Sequence, residues 1–336
     1  MTQVTEIVMP HVGGPEVLKV QQRDLPAPGP GQVRVRVEAA GVSFAEVQML
    51  RGRYFAQPTF PFVPGYDLVG RIEAVGPGGS GGDGLAVGQR VAAMTRTGAW
   101  SQSVLLPATH LVPVPESVDA AEAVALVTNG VTAYQMVHRV ARVAAGDTVL
   151  VHGAAGGVGT LLVRLALRAG ARVIGTASPG KHDRVRELGA SPLDYREPNL
   201  ADRVRELAPD GVAAVFDHAA GPGLRESWRS LGRGGTLVVY GSASTLDDQG
   251  WRMTPYVQTI GRLLWWRALP NGRRTSFYGI RQDKNFDADL ATVLELLRTG
   301  ELKPAVAARL PLTDATRALR MLDDRAVVGK VVLVPA

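Results

Sequence analysis

The chain has 336 residues, 46% of them apolar and 20% charged, with 37 basic and 31 acidic side chains and a formal net charge of +6. This composition excludes a disordered chain, and the length favours two domains. Cysteine is absent, which excludes disulfides, thiolate zinc sites, Cys-held iron–sulfur clusters and a Cys nucleophile.

Only five basic residues are Lys; the others are Arg, mostly scattered beside acids as at 186–188, 205–207 and 323–325. The densest patch is Arg262, Arg267, Arg273 and Arg274. A nucleic-acid binder would gather its charge on one face or tail, so a solvated Arg-rich surface is expected instead. The N-terminal residues carry no basic or apolar leader, and no apolar run approaches the ~18–20 residues of a membrane span. A cytoplasmic protein is the plain expectation.

Residues 1–115 read as short strands and turns. VRVRVEAAGV (33–42) alternates as a half-buried strand does, and Gly and Pro punctuate the chain at 26–31, 75–84 and 113–115. Few helical periods are visible there. At 119–137 the texture becomes Ala-rich and helical, with Asp119 placed to cap it. A strand–helix alternation follows. Strands are predicted at 147–153, 171–177, 212–219 and 235–241, and helices at 159–170 and 181–189, the first ending in Gly170. That alternation predicts a parallel, doubly wound sheet. The last part predicts a strand at 275–280, helices at 286–300 and 313–324, and a final strand at 329–335.

The central motif is VLVHGAAGGVGT (149–160), which sets Gly153, Gly156 and Gly159 between a buried strand and an amphipathic helix. Glycines there allow a tight turn and let backbone N–H groups approach a pyrophosphate at a helix N-terminus. Ala155, Gly156, Gly157, Val158 and Gly159 are therefore candidate cofactor-binding residues. A site for NAD usually ends its second strand in an acid that bonds the ribose 2′-hydroxyl. Here the chain reads Thr176-Ala177-Ser178-Pro179-Gly180-Lys181, with no acid. Thr176 and Ser178 leave room, and Lys181 offers positive charge to a 2′-phosphate, with His182 and Arg184 as nearby alternatives. Tyr195 ends the next predicted strand and is placed to close that pocket. NADPH is the cofactor expected.

AAGVSFAEVQMLRGRY (39–54), FPFVPGYDLVGRIEAVG (60–76), VTNGVTAYQMV (127–137), VLVHGAAGGVG (149–159), SPLDYRE (191–197) and VGKVVLVP (328–335) resemble the zinc-free medium-chain dehydrogenases/reductases. Within them the chain is most similar to the quinone oxidoreductases of the zeta-crystallin type and the vesicle amine transport protein 1 relatives. The resemblance covers essentially the whole chain. It implies an α/β protein with a GroES-like β-rich catalytic domain and a Rossmann domain. The catalytic domain would comprise 1–122, completed by 271–336, and the nucleotide domain 123–270. An interdomain cleft would hold the nicotinamide, and the chain would form a homodimer through Rossmann edge strands.

Zinc-bearing relatives hold their metal with Cys and a Gly-His-Glu motif; here those places fall at Ser43 and Gly65-Tyr66-Asp67. With no Cys and no ligand spacing among the six His, no metal is expected. The resemblance puts Ser43 near the nicotinamide, where quinone reductases carry Asn. It puts Tyr54 in the substrate cleft as a donor to a developing enolate or quinol oxygen, with Gln48 and Tyr66 lining the same cleft. Thr132, with Thr128 and Asn129 beside it, matches a position near the nicotinamide. Gly241 and Ser242 fall at the carboxyl edge of the sheet. Phe277, Tyr278 and Gly279 match the segment that receives the carboxamide, and Lys330 a residue reaching toward the cofactor. Asp217 reads as a buried structural acid. Trp265 and Trp266 read as an apolar wall of the cleft or of the dimer interface.

The function implied is NADPH-dependent, zinc-independent reduction of quinones or related conjugated carbonyls. The alternatives are a dedicated enone or polyketide-tailoring reductase, hinted at by Gln48, and a non-catalytic NADPH-binding, lipid-interacting protein.

Overall fold

The computed structural model of the chain describes residues 2–77, 84–247, 250–324 and 327–335. Most of the glycine-rich run at 75–84 thus lies outside the described residues. The chain divides into two compact units, Met1–Val131 with Arg281–Ala336, and Thr132–Ile280.

The first unit begins with β1 (Thr2–Val8), β2 (Lys19–Leu25) and β3 (Gln32–Val42). A short helix, α1 (Phe44–Leu50), precedes β4 (Asp67–Val75), β5 (Arg90–Met94), β6 (Ser103–Pro107), β7 (Val112–Pro113) and α2 (Ala120–Val127). The connecting helix α3 (Asn129–Tyr134) leads into the second unit. That unit holds β8 (Thr148–His152), α4 (Gly157–Arg168), β9 (Arg172–Ala177), α5 (His182–Glu187) and β10 (Ser191–Asp194). It continues with α6 (Leu200–Leu207), β11 (Val212–Asp217), α7 (Leu224–Ser230), β12 (Leu231–Val239), α8 (Thr254–Arg267) and β13 (Arg274–Phe277). The chain then returns to the first unit with α9 (Phe286–Arg298), β14 (Val306–Pro311), α10 (Ala315–Asp323) and β15 (Lys330–Val334).

In the first unit seven strands form one sheet, ordered β14-β15-β3-β4-β5-β7, with β6 also on β3; β1 and β2 pair separately. The alternation predicted at 33–42 is real: Val33, Val35 and Val37 are buried, and Arg36 between them is exposed. Trp100 fills the core, and its indole N–H donates to the Gly41 carbonyl at 3.1 Å. Asp119 caps α2 by accepting from the Glu122 N–H at 3.0 Å. The helix α1 departs from the expected run of strands. Its capping box, in which Ser43 and Glu46 satisfy each other's backbone N–H groups, outweighs the weak local period.

The second unit is a six-stranded sheet in the order β10-β9-β8-β11-β12-β13, with every pairing parallel. Counted from β8 this is the order 3-2-1-4-5-6 of the doubly wound dinucleotide folds, whose switch point lies between the first and fourth strands. Here that crevice falls between β8 and β11. The predicted helix at 159–170 is α4, which buries Leu161, Leu162, Leu165 and Ala166 on the sheet.

The Trp pair divides its roles: Trp266 stacks on Trp228 with ring centroids 5.1 Å apart, while Trp265 is 69% exposed. Of the densest Arg patch, Arg273 donates to the Trp228 and Leu231 carbonyls and Arg262 to Gly221. Many other Arg residues pair with acids along one helix, as Arg298 does with Glu295 and Arg229 with Glu226. Among the described residues, no helix is long and apolar enough to cross a membrane.

Candidate active site

In the parallel-sheet unit, β8 ends at His152 and the chain turns through Gly153 into α4. Gly153 has φ +65°, and a Cβ on Gly159 would stand 2.0 Å from the Gly153 carbonyl oxygen. Only glycine fits this close crossing of strand end and helix start. The N-cap is Gly156, and no side chain caps the helix. The first-turn N–H groups of Gly157, Val158 and Gly159 are therefore offered to an outside acceptor, at the positive end of a twelve-residue helix. Ala155 is buried beneath the turn. This turn fits a dinucleotide pyrophosphate.

A buried polar chain, not foreseen in the sequence, braces the turn. Asp217 accepts from the Ala219 and Ala220 N–H groups, each at 2.9 Å, and from Ser227 Oγ at 2.6 Å. Asp217 is thus the buried structural acid expected. Ser227 Oγ also lies 2.9 Å from His152 Nε2, and His152 Nδ1 lies 3.1 Å from Thr176 Oγ1. Burial pushes the His152 pKa down, so the ring is neutral. The Ser227 proton goes to Asp217, so His152 Nε2–H must donate to Ser227 and Nδ1 must accept from Thr176. Thr176 Oγ1 in turn accepts from the Gly153 N–H at 3.4 Å. The Thr176 hydroxyl is almost fully buried and committed to this chain, so it shapes the turn from within.

Beyond β9, Lys181 is half-buried, and its removal from water lowers its pKa. Of the nearby basic residues, His182 Nε2 lies 3.2 Å from the Ala177 carbonyl, and Arg184 pairs with Glu187. Arg164 on α4, missed by the sequence reading, is a further half-buried cation; burial and the Arg184 charge lower its pKa. Ala177 pairs with Asp194, so Ser178 and Tyr195 continue side by side from that rung. Tyr195 is half-exposed, with the Arg196 guanidinium over its ring. Among the other expected residues, Thr132 and Ser242 are buried and Gly241 follows the end of β12. Phe277 ends β13 exposed, Gly279 is exposed, and the Tyr278 hydroxyl donates to Gln135 Oε1 at 2.7 Å.

In the β-rich unit the expected residues Ser43, Tyr54 and Tyr66 come with three more: Glu46, Asp67 and Thr128. The Tyr54 and Tyr66 hydroxyls lie 2.8 Å apart, their rings edge-to-face. Burial, above all, raises the pKa of both phenols. Each stays protonated, and one O–H remains to donate outward. Ser43 Oγ is hydrogen-bonded to Glu46 Oε2, which also accepts the Ser43 N–H at 2.8 Å. Glu46 is fully buried, and its pKa is pushed up to about 7, chiefly by desolvation. Gln48 is buried on the same helix. Asp67, fully buried, accepts from Lys330 Nζ at 3.2 Å and from Thr128 Oγ1. The structure thus places Lys330 on Asp67, inside the β-rich unit. Neither Glu46 nor the Lys330–Asp67 pair carries a sequence signal beyond the S-x-x-E spacing of a capping box.

A glycine turn at the switch point of a 3-2-1-4-5-6 sheet, in a chain that also carries a β-rich unit with buried phenol and carboxyl groups, defines a nucleotide-dependent oxidoreductase. Residues 29–116 match the alcohol dehydrogenase GroES-like domain and residues 188–333 the zinc-binding dehydrogenase domain. The human synaptic vesicle membrane protein VAT-1 homolog is 31% identical over 98% of this chain and 86% of its own length. A 2-haloacrylate reductase of Burkholderia sp is 31% identical over 99% of both chains. Two mycobacterial structures, one of a quinone oxidoreductase and one of a complex with NADPH, superpose with TM-scores of 0.82 at 33% identity. They cover 99% of this chain and 100% of their own. The chain belongs to the medium-chain dehydrogenase/reductase superfamily.

The zinc in one matched domain's description does not fit the residues present. The Asp67 carboxylate is occupied by a buried ammonium, and the Tyr66 hydroxyl is bonded to Tyr54. Among the described residues no group of three or more His, Asp or Glu is placed to hold a metal ion.

Proposed function

We propose that this protein is an NADPH-dependent reductase of quinones or related conjugated carbonyls. The observation that carries the reading is the donor set of one unit: Ser43 and the paired hydroxyls of Tyr54 and Tyr66, with Ser43 and Tyr66 at places where metal-bearing relatives keep ligands. Bound NADPH supplies a hydride. The N–H groups of 157–159 hold its pyrophosphate, and Lys181, with Ser178 and Tyr195, receives the 2′-phosphate. Tyr54 donates a hydrogen bond to the acceptor oxygen, on which negative charge builds as hydride arrives. Its raised pKa keeps it a hydrogen-bond donor rather than a phenolate.

A second acceptor class, electron-poor alkenes, has support from the similarity to 2-haloacrylate reductase. The test follows loss of reduced nicotinamide absorbance with NADPH and NADH side by side. Acceptors are an ortho-quinone, a para-quinone and an aliphatic enone, each with and without a chelator. NADPH-preferring, chelator-insensitive quinone turnover is expected. Enone turnover alone would move the assignment to an alkene reductase. NADPH binding without turnover of any acceptor would mark a binding protein.

We also propose a homodimer that pairs β13 with its copy. β13 is the terminal strand of its sheet, and Val257, Leu264 and Trp265 of the neighbouring α8 are exposed.

A further inference from the structure

The β-rich unit buries two carboxyl groups, Glu46 and Asp67, beside a single ammonium, Lys330. Lys330 Nζ lies 3.2 Å from Asp67 Oδ2, and Thr128 supplies a second donor to the same oxygen. Glu46 is hydrogen-bonded only through Oε2, to the Ser43 N–H and to Ser43 Oγ; its Oε1 is buried with no hydrogen-bond partner. Two buried carboxylates facing one cation leave an uncompensated negative charge, and the better-paired group keeps the ionised state. A neutral acid tolerates an unpartnered carbonyl oxygen at far lower cost than a carboxylate does. Asp67 Oδ1 is buried and unpartnered as well, so charge pairing decides: the Lys330 ammonium stands against Asp67 and not against Glu46, and the proton falls to Glu46. The ionisable groups acting on it are Asp67 from β4, Lys330 from β15, and the phenols of Tyr54 and Tyr66 on the segment between α1 and β4. On α10, Asp323 is held by Arg51, which follows the far end of α1.

We propose that Glu46 is the proton store of the reduction, passing its proton to the acceptor through the Ser43 hydroxyl. This step rests on the reductase reading above. As hydride forms a new bond to the acceptor, the displaced electron pair settles on the acceptor oxygen. Ser43 Oγ gives its proton to that oxygen and takes the proton of Glu46 Oε2. Glu46 is left a carboxylate near Lys330 and recovers a proton from solvent before the next turnover. Each cycle thus consumes one hydride and one proton, and Glu46 acts through Ser43 without touching the acceptor. The same α1 geometry serves fold and proton transfer, because Ser43 and Glu46 are also the capping box.

Glu46→Gln tests the step, since Gln also completes a capping box but carries no transferable proton. The wild-type kcat is expected to fall as pH rises through about 7. E46Q should lose that inflection and about 100-fold or more in kcat, with KM for NADPH unchanged. An infrared titration supplies a readout independent of turnover: a protonated-carboxyl band present below neutral pH in the wild type and absent in E46Q. Ser43→Ala should lose kcat while keeping that band. An active wild type with an equally active, equally pH-dependent E46Q overturns the step alone, as does a missing band. S43A turning over at the wild-type rate overturns the route through Ser43. A wild type inactive with every acceptor overturns the reductase reading, and the step with it.

Discussion

In the parallel-sheet unit the buried polar chain from Thr176 to Asp217 closes on itself, whereas in the β-rich unit the cluster around Glu46 and Asp67 stops short. From Thr176 through His152 and Ser227 every proton finds an acceptor, and Asp217 collects three donors. Around Ser43 and Lys330, Glu46 Oε1 and Asp67 Oδ1 lie buried without a hydrogen-bond partner. A closed chain rigidifies: it ties the carboxyl ends of β8, β9 and β11 to α7 and fixes the turn that would meet a pyrophosphate. An open cluster keeps its groups near a change of charge, at a standing cost in stability. One unit is built to hold still and the other to exchange a proton.

The largest effects should come from breaking the closed chain. Asp217→Ala strips three donors of their acceptor in a buried place, and about 3 kcal/mol or more of stability is expected to go. Ser227→Ala should cost about 1–2 kcal/mol, since Asp217 keeps its two backbone donors. Denaturant unfolding of both variants checks this; equal, small losses would mean that the chain does not act as a unit.

The open cluster should reveal itself in the pH dependence of stability. The Glu46 pKa rises from an ordinary 4.5 to about 7 on folding. Between those values the folded state binds more protons than the unfolded one. Stability from this group is fully present below the lower value and is lost as pH rises through the upper one. The loss is about 3 kcal/mol at most. Wild type minus E46Q, measured by denaturant midpoints across that window, should show the decline, and a flat difference would place Glu46 in water.

The two clusters were not equally legible in the sequence. The strand–turn–helix of 149–168 is a local pattern, and so is the alternation of β3; both appear where periodicity put them. Thr176, His152, Ser227 and Asp217 meet only because a parallel sheet brings distant strand ends to one edge, which no local spacing records. Glu46 looks like an ordinary cap in S-x-x-E, and only tertiary burial makes it an acid of unusual affinity. The S-x-x-E spacing could still have marked α1 as a helix. Nothing similar marks α8, which opens with Pro255 near its start and exposes Val257, Leu264 and Trp265, so no single apolar stripe appears. Lys330 shows what tertiary packing adds to a motif. Its place after Gly329 is as expected, but its direction is set by Asp67, a buried carboxyl with one strong claim on a cation.

The smallest expected effect concerns Lys181, and it sharpens the comparison because it probes the rigid unit from outside the closed chain. The β9 end itself carries no acid to bond a ribose 2′-hydroxyl. Lys181 is half-buried, and its removal from water already disfavours its charge. An arriving dianion would favour that charge, and the ion pair would form in a partly dry place, where it is worth more than on an open surface. Lys181→Ala should therefore weaken NADPH binding about tenfold, or about 1.4 kcal/mol, and leave NADH binding and thermal stability unchanged. Tryptophan fluorescence titrations with the two nucleotides measure this. Equal weakening of both would shift the charge recognition to Arg164, the other half-buried cation of this unit, with Lys181 acting only through the shape of the turn that follows β9.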